Sequence, residues 1–242
     1  VVNPYKDLDK DKKAQVALMF NNIARKYDFL NHFLSMGIDK LWRKKAVNLL
    51  KPLQPKIVLD IATGTGDFAL ANLKLNPDKV IGIDISTEML AVGREKIAKK
   101  NLQDKIELFE GDSENIQFET NSFDAITVAF GVRNFENLEK GLKEMNRVVR
   151  PGGKVVVLEF SKPRKFPVKQ FYNFYFFRIL PLWGRMVSKD ASAYTYLPES
   201  VNAFPDGEDF LKIYEECGFT DTKQIKLSFG IASIYMGTKS KQ

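Results

Sequence analysis

The chain has 242 residues, 44% hydrophobic and 28% charged, a balance that fits a globular protein and excludes a disordered polyelectrolyte or a fibre. One cysteine and one histidine exclude an internal disulfide framework, a cysteine-cluster metal centre and HExxH zinc chemistry. The net charge of +7 suits an anionic partner, nucleic acid or a lipid headgroup surface, and no apolar run reaches the ~20 residues of a membrane-spanning helix.

The chain opens on Val1 rather than Met, which reads as a trimmed start. Its first twenty residues mix Lys, Asp and apolar residues and form no signal peptide, so the expected compartment is a reducing cytoplasm. There is no fixed-period repeat and no low-complexity tract. After a polar tail, Val16, Met19, Phe20 and Ile23 recur at helical spacing. Asp39 is placed to cap a second helix carrying Leu41, Trp42, Val47 and Leu50, which Pro52 and Pro55 then end.

From Lys56 the texture changes. Ile57-Val58-Leu59-Asp60-Ile61 is a short apolar run, as expected of a strand buried on both faces. A glycine turn, Gly64-Thr65-Gly66-Asp67, leads into a helix reaching Leu75. Lys79 to Asp84 reads as a second strand, and Ser86 starts a helix with Met89, Leu90 and Ile97 on one face. Further strands are expected at Ile106–Phe109, Phe123–Ala129 and Lys154–Glu159, the last preceded by a tight Pro151-Gly152-Gly153 turn. A helix between the last two carries Leu138, Leu142, Met145 and Val149. This alternation predicts βαβ units and a parallel sheet. Residues 161–204 break the rhythm with the aromatic run Phe171 to Phe177 and Trp183, and read as a helical insertion. A helix then runs to Cys217 with Gly218 behind it, and Phe219–Leu227 and Ile231–Thr238 read as a closing hairpin through Gly230. The expected architecture is one doubly wound α/β domain over 1–242. It has an N-terminal helical cover (12–51), a ligand-binding core (56–160), a helical lid (161–204) and a closing helix and hairpin (205–242).

The turn at 64–67 follows a strand and opens a helix, and Asp84 ends the next strand about twenty positions on, where a ribose-diol ligand belongs. Gly64 to Ala69 also satisfies G-x-G-x-x-G/A, so a nicotinamide or flavin dinucleotide enters consideration. The charges oppose it. A pyrophosphate needs bare N–H groups at the helix start, and here Asp67 follows the second glycine while Asp60 lies near the strand end. Those carboxylates suit a ligand with a cationic end, a sulfonium and an ammonium, as in S-adenosylmethionine. Asp112 would accept from the adenine amino group with Ser113 beside it, and Asp84 would take both ribose hydroxyls. Helix-end capping is the plainer role for Asp60 and Asp67 and is compatible with binding.

Several stretches carry a more specific pattern: Tyr27-Asp28-Phe29-Leu30-Asn31-His32-Phe33-Leu34-Ser35 with Trp42, Phe130-Gly131-Val132-Arg133-Asn134, Arg147 to Ser161, and Tyr194-Thr195-Tyr196-Leu197-Pro198-Glu199-Ser200. From about Val16 to Gly237 the chain resembles the ubiquinone/menaquinone biosynthesis C-methyltransferases. It departs from them at Leu30, where Met is frequent, and at Asp39, where His is usual. At Ala129 Ser is frequent. The resemblance implies the class I S-adenosylmethionine-dependent methyltransferase fold, Rossmann-like, with a mostly parallel sheet and an antiparallel C-terminal hairpin strand. It implies S-adenosylmethionine as methyl donor, with no metal, and a reduced polyprenyl quinol as acceptor, methylated on ring carbon. Thr65, Asp84, Asp112 and Ser113 become donor contacts by motif match, and Asp60, Gly64, Gly66, Asp67, Ile85, Met89 and Ala129 complete the expected donor set.

A quinol carbon becomes nucleophilic when the neighbouring hydroxyl ionises, and a phenolic hydroxyl has a pKa of ~10. A cation nearby lowers it. Arg133, past the fourth strand, is placed for this, and Asn134 for a hydrogen bond to the same oxygen. The ring carbon must then lose its proton, and His32 or a bound water is the expected acceptor, with Asp190, Tyr194 and Tyr196 as competitors. Each has a plainer reading: His32 as a helix-packing residue, Arg133 as a salt-bridge partner, the tyrosines as lid packing. Glu159 reads as a residue that orients a partner at the site floor, and Cys217 as buried and inert.

Phe171, Phe174, Phe177 and Trp183, with Lys162, Arg164, Lys165, Lys169, Arg178 and Arg185, suit either an isoprenoid tunnel or a peripheral contact at the inner face of the membrane. Two other function classes stay open. A nucleic-acid methyltransferase fits the charge, but Ala129 to Arg133 holds no Pro-Pro block and the cations are scattered, so no nucleic acid is expected as partner. A binding module without chemistry is the other. No residue reads naphthoquinol against benzoquinol. Demethylmenaquinol is the preferred acceptor, a methoxy-polyprenyl benzoquinol the alternative.

Overall fold

In a computed structural model of the chain, residues 2–5, 8–35, 37–175, 178 and 192–241 are described, with 29–34 and Tyr194 described by backbone alone. The elements in chain order are α1 (Lys12–Leu34), α2 (Ile38–Leu50), β1 (Ile57–Ile61), α3 (Asp67–Asn72), β2 (Lys79–Asp84), α4 (Thr87–Lys99), β3 (Ile106–Glu110) and β4 (Phe123–Ala129). They continue with α5 (Leu138–Val148), β5 (Val149–Phe160), α6 (Val168–Phe174), α7 (Ser192–Ala203), α8 (Glu208–Glu216), β6 (Phe219–Leu227) and β7 (Ala232–Lys239).

The seven strands form one sheet in the order β3-β2-β1-β4-β5-β7-β6. β1 pairs in parallel with β2 and β4, β2 with β3, and β4 with β5, while β7 runs antiparallel to both β5 and β6. The apolar runs are strands for the reason expected: Val58, Leu59 and Ile61 of β1, and Val155 to Leu158 of β5, are closed to solvent on both faces. Trp42, Val47, Leu50 and Phe68 belong to one large apolar cluster with Leu90 and Val156. Leu142, Met145, Phe210 and Tyr214 belong to a second with Ile126 and Tyr235.

Three local expectations need correction. Asp39 does not cap α2. Gly37, in the left-handed region, precedes that helix, and Asp39 lies inside the first turn, buried and paired with Arg43 one turn on. Val149 is extended and opens β5 rather than closing α5. Pro151-Gly152-Gly153 is not a turn before the strand but an irregularity inside it. Phe123 opposes Val149, yet Ala125 opposes Lys154, so the extra residues bulge out, helped by the positive φ of Gly152.

Candidate active site

Strand order reverses between β1 and β4, the place where open α/β sheets receive ligands beyond the carboxyl ends of their strands. A cleft of about 620 Å³, partly open to solvent, lies there. Ala62 and Gly64 after β1, Asp84 and Ile85 at β2, Asp112 and Ser113 after β3, and Ala129 to Gly131 at β4 form its walls, and Val16, Phe20 and Tyr27 of α1 close over it.

The β1–α3 turn owes its shape to backbone conformation. Ala62, Gly64 and Gly66 all have positive φ. A Cβ on Gly131 would stand 2.5 Å from the Cβ of Ala62, so glycine is what lets the β4 loop approach this turn. Asp84 fastens the turn to β2. Its Oδ2 accepts from Gly64 N at 2.8 Å and its Oδ1 from Ser86 N at 2.8 Å. Burial raises the Asp84 carboxyl to about 6 against the backbone hydrogen bonds that hold it down.

Asp60 lies beneath the turn. It is fully closed to solvent, with Thr63 Oγ1 donating to one carboxylate oxygen at 2.6 Å and Thr127 Oγ1 to the other at 2.7 Å. Desolvation dominates there and pushes its pKa up to about 7.

The expected donor residues divide in two. Gly64, Asp84, Ile85, Met89, Asp112, Ser113 and Ala129 line the cavity. Asp60, Thr65, Gly66 and Asp67 do not. The Thr65 hydroxyl is turned to Asp28 of α1, and Asp67 is bonded to Lys96 at 2.7 Å with Arg43 at 3.8 Å. The charge of Asp67 is thus matched by cations from α4 and α2, and Asp60 is buried off the wall. The proximity of these acids in sequence does not carry a negative charge into the cavity. Asp112 is also engaged, at 2.7 Å from Lys13 Nζ of α1.

A second cavity of about 740 Å³ adjoins the first, and Phe20, Tyr27 and Phe130 wall both. Its lining is mainly apolar, with Met19, Ile23, Phe160 and Leu197, but Arg43, Arg133 and Tyr196 also face it. Arg133 is 7% exposed at its side chain and donates through Nη1 to Glu159 Oε1 at 2.7 Å and to the Phe130 carbonyl at 2.6 Å. Its Nε, buried, has no partner among the described residues. Glu159 is wholly buried, and desolvation raises its carboxyl against the attraction of Arg133. Arg133 is therefore a salt-bridge partner as well as a cation at a cavity wall, and Glu159 orients it. Asn134 does not share the second cavity with Arg133, as expected of a partner to the same oxygen; it lines the first cavity, its Nδ2 donating to the Phe130 carbonyl at 3.3 Å and its buried Oδ1 without a partner among the described residues.

His32 lies in α1, among the residues described by backbone alone. Phe177, Trp183, Arg185 and Asp190 lie outside the described residues. Tyr196 is 3% exposed, and burial pushes its hydroxyl up to about 12, which removes it as a base near neutrality. Cys217 is buried and its thiol pKa raised by desolvation.

Sequence reading missed Lys13, Phe20 and Arg43. Only Arg43 left a local signal, a cation one helical turn after Asp39. The described residues contain no group of three or more His, Cys, Asp or Glu side chains arranged to hold a metal, and no helix long and apolar enough to cross a membrane.

Comparison with known proteins bears on this site. A family model described as the ubiE/COQ5 methyltransferase family matches residues 8–239. A demethylmenaquinone methyltransferase of Bacteroides fragilis is 49% identical over 239 residues, 98% of this chain and 97% of that one. One of Porphyromonas gingivalis is 45% identical over 240 residues, 98% of each. A ubiquinone/menaquinone biosynthesis C-methyltransferase of Geotalea daltonii is 45% identical over 231 residues, 95% of this chain and 98% of that one. Among solved structures, a SAM-dependent methyltransferase from Thermotoga maritima aligns with a TM-score of 0.64 at 20% identity, over 92% of this chain and all of that one. One from Aquifex aeolicus aligns with a TM-score of 0.57 at 20% identity, over 79% and 88%. At such identity the likeness is one of fold.

Proposed function

The chain belongs to the ubiE/COQ5 methyltransferase family, and from that premise we propose that it methylates a ring carbon of a reduced polyprenyl quinol, demethylmenaquinol, using S-adenosylmethionine. The observation that carries the reading is a pair of neighbouring cavities that share Phe20, Tyr27 and Phe130 as a common wall. Both are lined mainly by apolar groups, but the first holds the strand-end Asp84, Asp112 and Ser113, suited to a nucleoside, and the second holds the buried cation of Arg133. The demethylmenaquinone methyltransferases of Bacteroides fragilis and Porphyromonas gingivalis among its relatives favour the naphthoquinol over the benzoquinol.

The donor fits the first cavity. Asp84 keeps lone pairs for a ribose diol, Asp112 and Ser113 lie where an adenine amino group would end, and the unpartnered Asn134 Oδ1 is an acceptor for an ammonium or hydroxyl. Bound there, S-adenosylmethionine supplies an electrophilic methyl on sulfonium. The residues of the chain then do three things. Phe20, Tyr27 and Phe130 exclude water between the two cavities. Arg133, held by Glu159, sets a cation at the wall of the acceptor cavity and favours the ionised form of the acceptor's hydroxyl. His32 or a water takes the ring proton. The acceptor carbon's electron pair forms the new C–C bond, the C–S pair stays on sulfur, and proton loss restores the aromatic ring. Alignment of this kind supplies ~7–11 kcal/mol. No metal enters the scheme.

A peripheral membrane contact belongs to the same reading. Phe166, Phe171 and Phe174 are 81%, 72% and 60% exposed on and before α6, beside Lys165 and Lys169, and Phe229 is 86% exposed at the β6–β7 turn. Rings and cations together suit an anionic bilayer surface. Co-sedimentation with vesicles containing anionic lipid is expected, and its absence refutes the contact. The acceptor is tested by supplying reduced demethylmenaquinol and reduced methoxy-polyprenyl benzoquinol in turn. Faster methylation of the naphthoquinol is expected; a preference for the benzoquinol would reassign the substrate.

A further inference from the structure

A buried polar group on a residue of the second cavity's wall has no role in the quinol chemistry described for Arg133. Tyr196 projects from α7, with its ring in an apolar cluster formed with Val16 and Met19 of α1. It is 3% exposed and lines the second cavity together with Arg133 and Phe160. Its hydroxyl has no hydrogen-bond partner among the described residues. A buried hydroxyl without a partner is costly, and native proteins rarely retain one unless a ligand or water completes it. The charges of Arg133 and Glu159 both reach this hydroxyl, so it lies in the same field as the cation assigned to the acceptor's oxygen. The Asp39–Arg43 ion pair and Tyr27 face the same cavity from α2 and α1.

We infer that the Tyr196 hydroxyl donates a hydrogen bond to the acceptor's ionising oxygen, so that Tyr196 and Arg133 form a two-donor oxyanion site. The inference rests on the quinol-methylation reading for its substrate, but on the cavity alone for its chemistry, which is binding of an aromatic hydroxyl in its ionised form. Tyr196 stays protonated near neutrality, so it serves as a donor and never as the base. A donor fixed in a water-poor site lowers the pKa of the hydroxyl it touches and strengthens as charge develops.

The test is Tyr196→Phe, which removes one oxygen and keeps the ring. Three readouts separate the outcomes. Because the oxygen has no partner among the described residues, the variant is expected to unfold at the same temperature as the parent or higher. A marked loss of stability would show a protein partner and overturn the inference. With reduced demethylmenaquinol, kcat/KM is expected to fall about 10–100-fold, the size of a lost charge-assisted hydrogen bond. The acid limb of the rate profile should move to higher pH, with donor affinity unchanged. A purely packing tyrosine would leave that limb in place. Third, para-nitronaphthol, whose ionised form is coloured, is titrated in complex with each protein. The parent is expected to lower its pKa and Tyr196→Phe to lower it less. Equal shifts in the two proteins, or no shift in the parent, overturn the inference. A parent that shifts the probe through Tyr196 yet fails to methylate any quinol keeps the oxyanion site and refutes the substrate reading. A parent that methylates with no contribution from Tyr196 does the reverse.

Discussion

Asp60 decides whether the glycine turn rests on a buried charge or on a neutral carboxyl. The carboxyl is closed to solvent, hydrogen-bonded to Thr63 and Thr127, and raised from 3.8 to about 7 by desolvation. The folded state then binds this proton more tightly than the unfolded state. Stability from this group is full below about pH 4 and falls as pH rises through about 7. At ~1.4 kcal/mol per pH unit, the loss between about pH 5 and about pH 8 comes to roughly 3 kcal/mol. Asp60→Asn keeps the shape and removes the titration. Urea unfolding of parent and variant, without donor, is to be measured across that range. Asp84, raised to about 6, contributes the same trend to both proteins and cancels in the difference. The stability difference, variant minus parent, is expected to grow by about 3 kcal/mol toward high pH. Parallel curves would mean that Asp60 ionises as an ordinary carboxylate, and the burial argument would fail.

Other outcomes follow from the same geometry. Asp84→Asn should weaken S-adenosylmethionine binding about 10–100-fold by calorimetry, from lost charged hydrogen bonds, and parent affinity should decline as pH falls below about 6; unchanged affinity would remove Asp84 from the donor site. Arg133→Gln breaks a buried pair and leaves Glu159 uncompensated, so a stability loss of ~3–5 kcal/mol is expected at neutral pH. Arg133→Gln with Glu159→Gln should recover most of that stability while turnover stays low, and recovery of turnover as well would make Arg133 structural only. Gly131→Val drives a side chain into Ala62 and Val128, with expected losses of ~1–3 kcal/mol in stability and of donor affinity; an unaffected variant would show that the β4 loop does not need its close approach.

The strands and the turn at 64–67 were legible because buried parallel strands leave apolar runs, and glycines are needed where backbone turns through positive φ. Asp84 was legible by its distance along the chain from the turn, since βαβ units have a narrow range of lengths. Partners were not legible. Asp67 reads as a carboxylate for the ligand or a helix cap until Lys96 and Arg43 arrive from other elements, and Asp60 reads as a charge until Thr63 and Thr127 close around it. Lys13 meets Asp112 only because α1 folds back over strands almost a hundred residues later in the chain. The same long-range pairing joins Arg133 to Glu159, each of which reads from sequence as a separate candidate.

The most direct test of the reaction is its dependence on the redox state of the acceptor. The protein is incubated with S-adenosylmethionine and short-tailed demethylmenaquinone, in one arm held reduced and in the other held oxidised, and the methylated product is followed by mass. Only the reduced form has a hydroxyl to ionise and a ring carbon made nucleophilic by it, so product is expected in the reduced arm alone. Equal product in both arms would contradict the phenolate chemistry, and none in either arm, with donor bound, would contradict the assignment of the acceptor.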